Sequence, residues 1–168
     1  MTKQKLDLLL PNQKDISKQT RWIQHQIEDI GQDTLIRLAK KAAQHRKNSY
    51  SPYSNYKVGV VLLSQSGKTY LGTNMERASY SETNHAEETS IAAAINAGEA
   101  KKNRRFIKAI VVSHPGDSTC CGRCRQIISE YADNCLIINA NQKGEIQNVT
   151  SLEAILPFSF NPTHLGIK

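Results

Sequence analysis

The sequence predicts an α/β fold with three layers, α-β-α, in which helices flank a mixed five-stranded sheet. Two observations predict it. Helical and strand patterns alternate along the chain in the order α-β-β-α-β-α-β-β. At 168 residues, with 39% hydrophobic residues and 22% charged, the chain suits one soluble domain with a single sizeable core.

The elements follow from local patterns. Residues 1–32 form an N-terminal extension in which Ile16, Ile23, Ile27 and Ile30 share one helical face and Gly31 supplies a stop. This should be a short amphipathic helix that packs on the domain or on a neighbouring subunit. Residues 33–168 form the main domain. Its first helix starts at Asp33, with Leu35, Leu38, Ala39, Ala42 and Ala43 as the apolar stripe, and breaks at 48–54. Strands over about 57–64 and 68–74 are joined by Ser-Gln-Ser-Gly as a hairpin. A helix rich in Ala and Ile runs from about His85 to Ala97, with Gly98 beyond it. Residues 106–113 are a continuous apolar run of buried-strand type. A third helix is expected from Cys121 to Asp133, then strands over 135–140 and 145–149 around an Asn-Gln-Lys-Gly turn. Thr150 and Glu153 read as the capping box of a last short helix.

Composition narrows the function classes. No stretch approaches the roughly 18 apolar residues of a membrane span, and the start lacks a signal-peptide pattern, so a cytoplasmic location is expected. The formal charge is +7, yet the basic residues are scattered. Their one dense run, 101–105, falls where a solvated loop is expected and is not interleaved with aromatic residues. That pattern does not favour nucleic acid as a partner. The four cysteines do not read as a disulfide framework: two take the C-x-x-C spacing, and Cys135 opens an apolar run as a buried thiol.

The chemistry lies in His85-Ala86-Glu87 and in Cys121-Gly122-Arg123-Cys124. Cysteines three apart on a first helical turn face the same way, and His85 opens another helix, so two helix N-termini can converge on one ion. One imidazole and two thiolates make a three-ligand zinc set that leaves a fourth position open, as catalytic sites do. One Zn2+ per subunit is expected. Glu87, two residues from the His ligand, is placed to take a proton from water and deliver it to a ring nitrogen and a leaving amine. H-x-E followed by P-C-x-x-C is the signature of zinc-dependent nucleobase deaminases, and this chain carries it with Cys120 in the Pro position. A structural zinc knuckle is the plainer alternative, but it normally supplies four ligands and has no need of Glu87.

From Tyr50 onward the chain resembles the cytidine deaminase family, of the short homotetrameric type. The resemblance is carried by the residues at 51–59, 72–80, 85–87, 121–126 and 156–162, in the family's order. It implies hydrolytic deamination of cytidine and deoxycytidine to uridine and deoxyuridine, with release of ammonia, in pyrimidine salvage. It also implies roles for further residues. Asn74 and Glu76 match a pair that binds the ribose hydroxyl, and Tyr56 matches a Phe packed near the pyrimidine. The Ala86 backbone matches the group that reads the base edge. Phe160 matches an aromatic that reaches a neighbouring subunit's site, hence a homotetramer with shared sites. The chain departs from short members in having His85 for Cys and Glu88 for Arg. Three thiolates leave zinc with a net charge of −1 that an Arg offsets, whereas one imidazole and two thiolates leave it neutral, so the two changes are mutually consistent. Arg77, Cys120 and Asn161 replace Asn, Pro and Gly. Rival readings are a deaminase of a modified or N4-substituted pyrimidine nucleoside or of a cytosine-bearing antibiotic, a polynucleotide deaminase, and a non-catalytic zinc protein.

Overall fold

A sheet whose central strands are buried on both faces organises the computed structural model, which describes residues 13–116 and 119–166. The elements are α1 (Gln13–Ile30), α2 (Gln32–His45), β1 (Gly59–Ser64), β2 (Thr69–Thr73), α3 (Ala86–Asn96), α4 (Glu99–Lys102), β3 (Ile107–Ser113), α5 (Gly122–Ile128), β4 (Leu136–Ala140), β5 (Ile146–Ser151) and α6 (Leu152–Ile155). One five-stranded sheet runs β2-β1-β3-β4-β5, with β3 and β4 parallel and the other pairs antiparallel. The mixed sheet and three layers match the expectation.

The strands are apolar on both faces because both are covered. Val60, Leu62, Ile110, Val112 and Ile137 face α3, α5 and α6 through Ile91, Ala94, Ile128 and Leu152. Val61, Leu63, Val111, Leu136 and Ile138 face α2 through Leu35, Leu38, Ala39 and Ala42, and α1 adds Trp22, Ile23, Ile27 and Ile30. Asp29 of α1 also pairs with Lys108 of β3 at 2.7 Å. Of the helical face expected in the extension, Ile16 and residues 1–12 lie outside the residues whose side chains are described.

Three boundaries differ from the sequence reading. The helix expected over 121–133 ends at Ile128. The Ser129 hydroxyl donates to the Gln126 carbonyl at 2.7 Å, and Tyr131 N–H reaches back three residues to Ile128, so the chain turns tightly there. The last strand continues to Ser151, which moves the final cap. Ser151, not Thr150, accepts the Ala154 N–H at 3.1 Å, and Glu153 lies inside the helix rather than closing a box.

Gly72 positions the helix that matters most. A Cβ there would lie 2.1 Å from the Ala86 carbonyl oxygen and 2.6 Å from Ser90 N. Only glycine lets the first turn of α3 approach β2 this closely. Thr89 fastens the contact, accepting Thr73 N–H at 3.0 Å and donating to the Thr73 carbonyl at 2.9 Å.

Candidate active site

Two helix starts meet at one corner. His85 is the residue before α3, and Cys121 is the residue before α5, with Cys124 on its first turn. His85 Nδ1 lies 3.5 Å from Cys121 Sγ and 3.3 Å from Cys124 Sγ. Zinc bonds of about 2.3 Å to sulfur and 2.0–2.1 Å to nitrogen, set tetrahedrally, put the two donor atoms roughly 3.5 Å apart. The three residues therefore fit a zinc ion as they stand, and theirs is the only such group among the described residues. The electrostatics agree. Burial first, then the Glu87 carboxylate and the neighbouring Cys121, push the Cys124 thiol far above its ordinary value. A cation at this corner removes that penalty and holds the thiolates ionised.

Glu87 is 5% exposed and adjoins the Cys124 thiol. It lines a cavity of about 290 Å³, at the small end of pockets that hold a single small molecule. Of the metal-ligand, catalytic and substrate-binding residues expected from the sequence, all but Cys124 and Phe160 line it: with Glu87, these are His85, Cys121, Ala86, Asn74, Glu76 and Tyr56. Cys124 lies behind as part of the metal group. Phe160 is 59% exposed on this chain, stacked on His164 with ring centroids 5.4 Å apart.

Across the cavity, Asn74 and Glu76 follow β2 and hold the 49–58 segment. Asn74 Oδ1 accepts Ser49 Oγ–H at 2.6 Å and Val58 N–H at 2.9 Å, and its amide nitrogen donates to the Tyr56 carbonyl at 2.9 Å. Glu76 accepts Tyr53 N–H at 2.9 Å, Ser54 N–H at 3.1 Å and the Ser54 hydroxyl. The Ser54 hydroxyl, outweighing burial, holds this carboxyl below its ordinary value, so it stands ionised in the pocket.

Sequence reasoning missed His114. It sits just after β3, is 4% exposed and lines the cavity, with Nδ1 3.0 Å from the Tyr56 hydroxyl oxygen. A polar residue ending an apolar strand run, shortly before the C-x-x-C, was the available signal. Glu88 was read only as a missing Arg, but it has two partners: it accepts His85 N–H at 2.7 Å and pairs with Arg123 at 2.8 Å. Arg123, from α5, is thus anchored to α3 through Glu88. Arg77 donates to the Glu82 carbonyl at 2.7 Å and to Asn84 Oδ1 at 2.6 Å, and so braces the loop before His85. Cys120, in the expected Pro position, is buried, which pushes its thiol up to about 11, with Glu87 adding to the shift. The basic run is engaged at Arg105, which meets Asp133 at 3.1 Å and donates to the Ser129 and Glu130 carbonyls.

Residues 32–140 match the family model described as the cytidine and deoxycytidylate deaminase zinc-binding region. The chain belongs to this family. It is 36% identical over 136 residues to a cytidine deaminase of Sporosarcina psychrophila, covering 80% of this chain and 94% of that one. It is 39% identical over 127 residues to a cytidine deaminase of Halalkalibacterium halodurans, covering 73% and 91%. The crystal structure of a cytidine deaminase from Burkholderia pseudomallei superposes with a TM-score of 0.65 at 34% identity, over 74% of this chain and 97% of that one. The match to the zinc-binding region takes in both halves of the His85-Cys121-Cys124 group and all the strands but β5.

Proposed function

We propose that this chain hydrolyses cytidine and deoxycytidine to uridine and deoxyuridine with release of ammonia, as a zinc-dependent enzyme of pyrimidine salvage. The observation that carries the reading is the buried carboxylate of Glu87 beside a His85-Cys121-Cys124 donor set, in a cavity sized for one small molecule.

His85 Nδ1, Cys121 Sγ and Cys124 Sγ are the metal ligands. Zinc bound there supplies the Lewis acidity that lets water ionise near neutral pH. Glu87 is the catalytic residue among the side chains. Its carboxylate takes one proton from water and places it on N3 as the water oxygen bonds to C4; it then takes the second proton, from the new C4 hydroxyl, and delivers it to the amine, which leaves as ammonia as the C4–N bond breaks. Burial keeps the carboxylate away from bulk water, so the proton it holds goes to the substrate. Glu76, kept ionised by Ser54, accepts from a ribose hydroxyl, and Asn74 borders the same hydroxyl while holding the Tyr56 segment. A pocket that hydrogen-bonds a hydroxyl strongly rejects analogues lacking it. The Ala86 backbone reads the N3–O2 edge of the base.

Residues 33–168 form the catalytic unit, with 1–32 an accessory extension. Phe160, solvent-facing on one chain, completes a neighbour's pocket in a homotetramer. The reading places the enzyme in the cytoplasm; no described helix is long and apolar enough to cross a membrane.

The test is a panel of cytidine, deoxycytidine and adenosine, followed by ultraviolet absorbance with zinc-loaded protein. Both cytidines should be converted and adenosine left intact; failure to convert either cytidine would overturn the reading.

A further inference from the structure

One wall of the cavity carries a directional polar group where an apolar ring would have sufficed. Tyr56 Oη lies 3.0 Å from His114 Nδ1, and the two rings stack at 26° with centroids 6.1 Å apart. The backbone N–H of Gly116 also reaches Nδ1, at 3.1 Å. A backbone N–H can only donate, so Nδ1 is an acceptor and carries no proton. The Tyr56 oxygen, 3.0 Å from the same nitrogen, avoids lone-pair repulsion by turning its one proton towards it and sharing the lone pair with Gly116. What the phenol oxygen still offers is lone pairs. The neighbouring hydroxyl on this wall is in the same state: Thr119 Oγ1 donates to the Cys120 carbonyl at 3.2 Å and accepts from Arg125 at 3.1 Å. The wall therefore accepts hydrogen bonds and has no hydroxyl proton left to give.

We infer that the Tyr56–His114 pair is a specificity element that favours a pyrimidine nucleoside bearing a hydrogen-bond donor at C5, such as a hydroxymethyl group, over one bearing an apolar group there. The inference rests on the nucleoside reading of the pocket. In that reading C4 faces the metal corner and Glu87, the N3–O2 edge faces the Ala86 backbone, and the ribose runs to Asn74 and Glu76. The C5–C6 edge is left for the remaining lining residues, among them Tyr56, Val112, His114 and Thr119. Val112 is fully apolar and Thr119 is committed, so the Tyr56 oxygen is the group that discriminates. A pocket-wall oxygen with only lone pairs to offer favours a donor and disfavours a second acceptor, because unpaired polar groups facing one another lose the hydrogen bonds water gave them. His114, 4% exposed and held by Gly116, sets the direction of that preference by deciding where the phenol proton goes.

The experiment compares kcat/KM for cytidine, 5-methylcytidine, 5-hydroxymethylcytidine and 5-formylcytidine on the zinc-loaded full chain. The wild type should favour hydroxymethyl over methyl by about tenfold, the worth of one neutral hydrogen bond. Tyr56→Phe should bring that ratio to about one. His114→Leu frees the phenol proton, and should raise the 5-formyl substrate relative to 5-methyl while lowering the hydroxymethyl preference. A reversal of preference is something a merely structural role would not produce. A wild-type hydroxymethyl-to-methyl ratio near one, or a ratio that Tyr56→Phe leaves intact, overturns the inference while cytidine turnover keeps the proposed function standing. If no cytidine is deaminated at all, both fall together.

Discussion

The two sides of the pocket are built by different means. The metal corner hangs on backbone: His85 and Cys121 immediately precede two helices, and Cys124 is on the first turn of the second. Helix geometry alone sets where their donor atoms go, and the Glu88–Arg123 pair fastens one helix start to the other at 2.8 Å. The opposite wall is built from side chains. Asn74 and Glu76 hold an irregular segment, 49–58, through hydrogen bonds that cross 16 to 25 residues of sequence. Regular secondary structure gives the reaction its fixed geometry, and a hydrogen-bonded loop gives the substrate wall its adaptable chemistry. Such a division lets one reaction serve different substrates by changing the loop alone.

The largest expected effect lies at the corner. Glu87→Gln keeps the shape of the side chain and removes the base, so kcat should fall by about 10³-fold or more while one zinc per chain is retained. Metal analysis alongside steady-state rates checks this. Turnover within tenfold of wild type would move the proton-transfer role elsewhere in the pocket.

Next is the seat of the corner on the sheet. Gly72→Ala puts a methyl 2.1 Å from the Ala86 carbonyl oxygen, so α3 must back away from β2. About 3 kcal/mol of stability should go, and His85 should move with its helix. Denaturant unfolding measures the first and zinc stoichiometry the second. An unperturbed midpoint would mean that α3 is held by other contacts.

The comparison also explains what could be read from the sequence. The corner was legible because each half of it spans at most four residues and helix geometry supplies the rest. The sheet was legible because runs such as Val60–Leu63 and Ile107–Ser113 carry the strand signal by themselves. The Tyr56–His114 contact was not, since it joins residues 58 apart that neither periodicity nor motif relates. Glu88 was seen as an absent charge, and only the packing of α3 beside α5 revealed Arg123 as its partner. The end of α5 and the cap at Ser151 were missed for a smaller reason: a single side-chain hydrogen bond decides each.

A milder perturbation tests how the two helix starts are tied. Glu88→Gln leaves an amide oxygen to accept His85 N–H and takes away the charge that holds Arg123. Groups that orient metal ligands in this way are typically worth ten- to a hundredfold in metal affinity, and the lower end is expected here because the cap survives. Competition with a zinc chelator reads the effect directly. Equal affinity in wild type and variant would show that the caps alone fix the corner.

The smallest effect belongs to the loop side, and its sign follows from the Glu76 carboxyl. Ser54 holds that carboxyl below its ordinary value in the folded chain, so folding favours the ionised form. The stability this contributes is complete above the unfolded carboxylate pKa and is lost as pH falls through the lower, folded one. Glu76→Gln cannot titrate. The wild-type melting temperature should therefore exceed the variant's near pH 7 by on the order of 2 °C, and the gap should narrow on acidification below the ordinary carboxylate range. A gap that stays constant with pH would mean that Ser54 binds the carboxyl equally well in both protonation states. The segment carrying Tyr56 would then owe its position to Asn74, whose amide bonds to Ser49, Val58 and Tyr56 do not titrate.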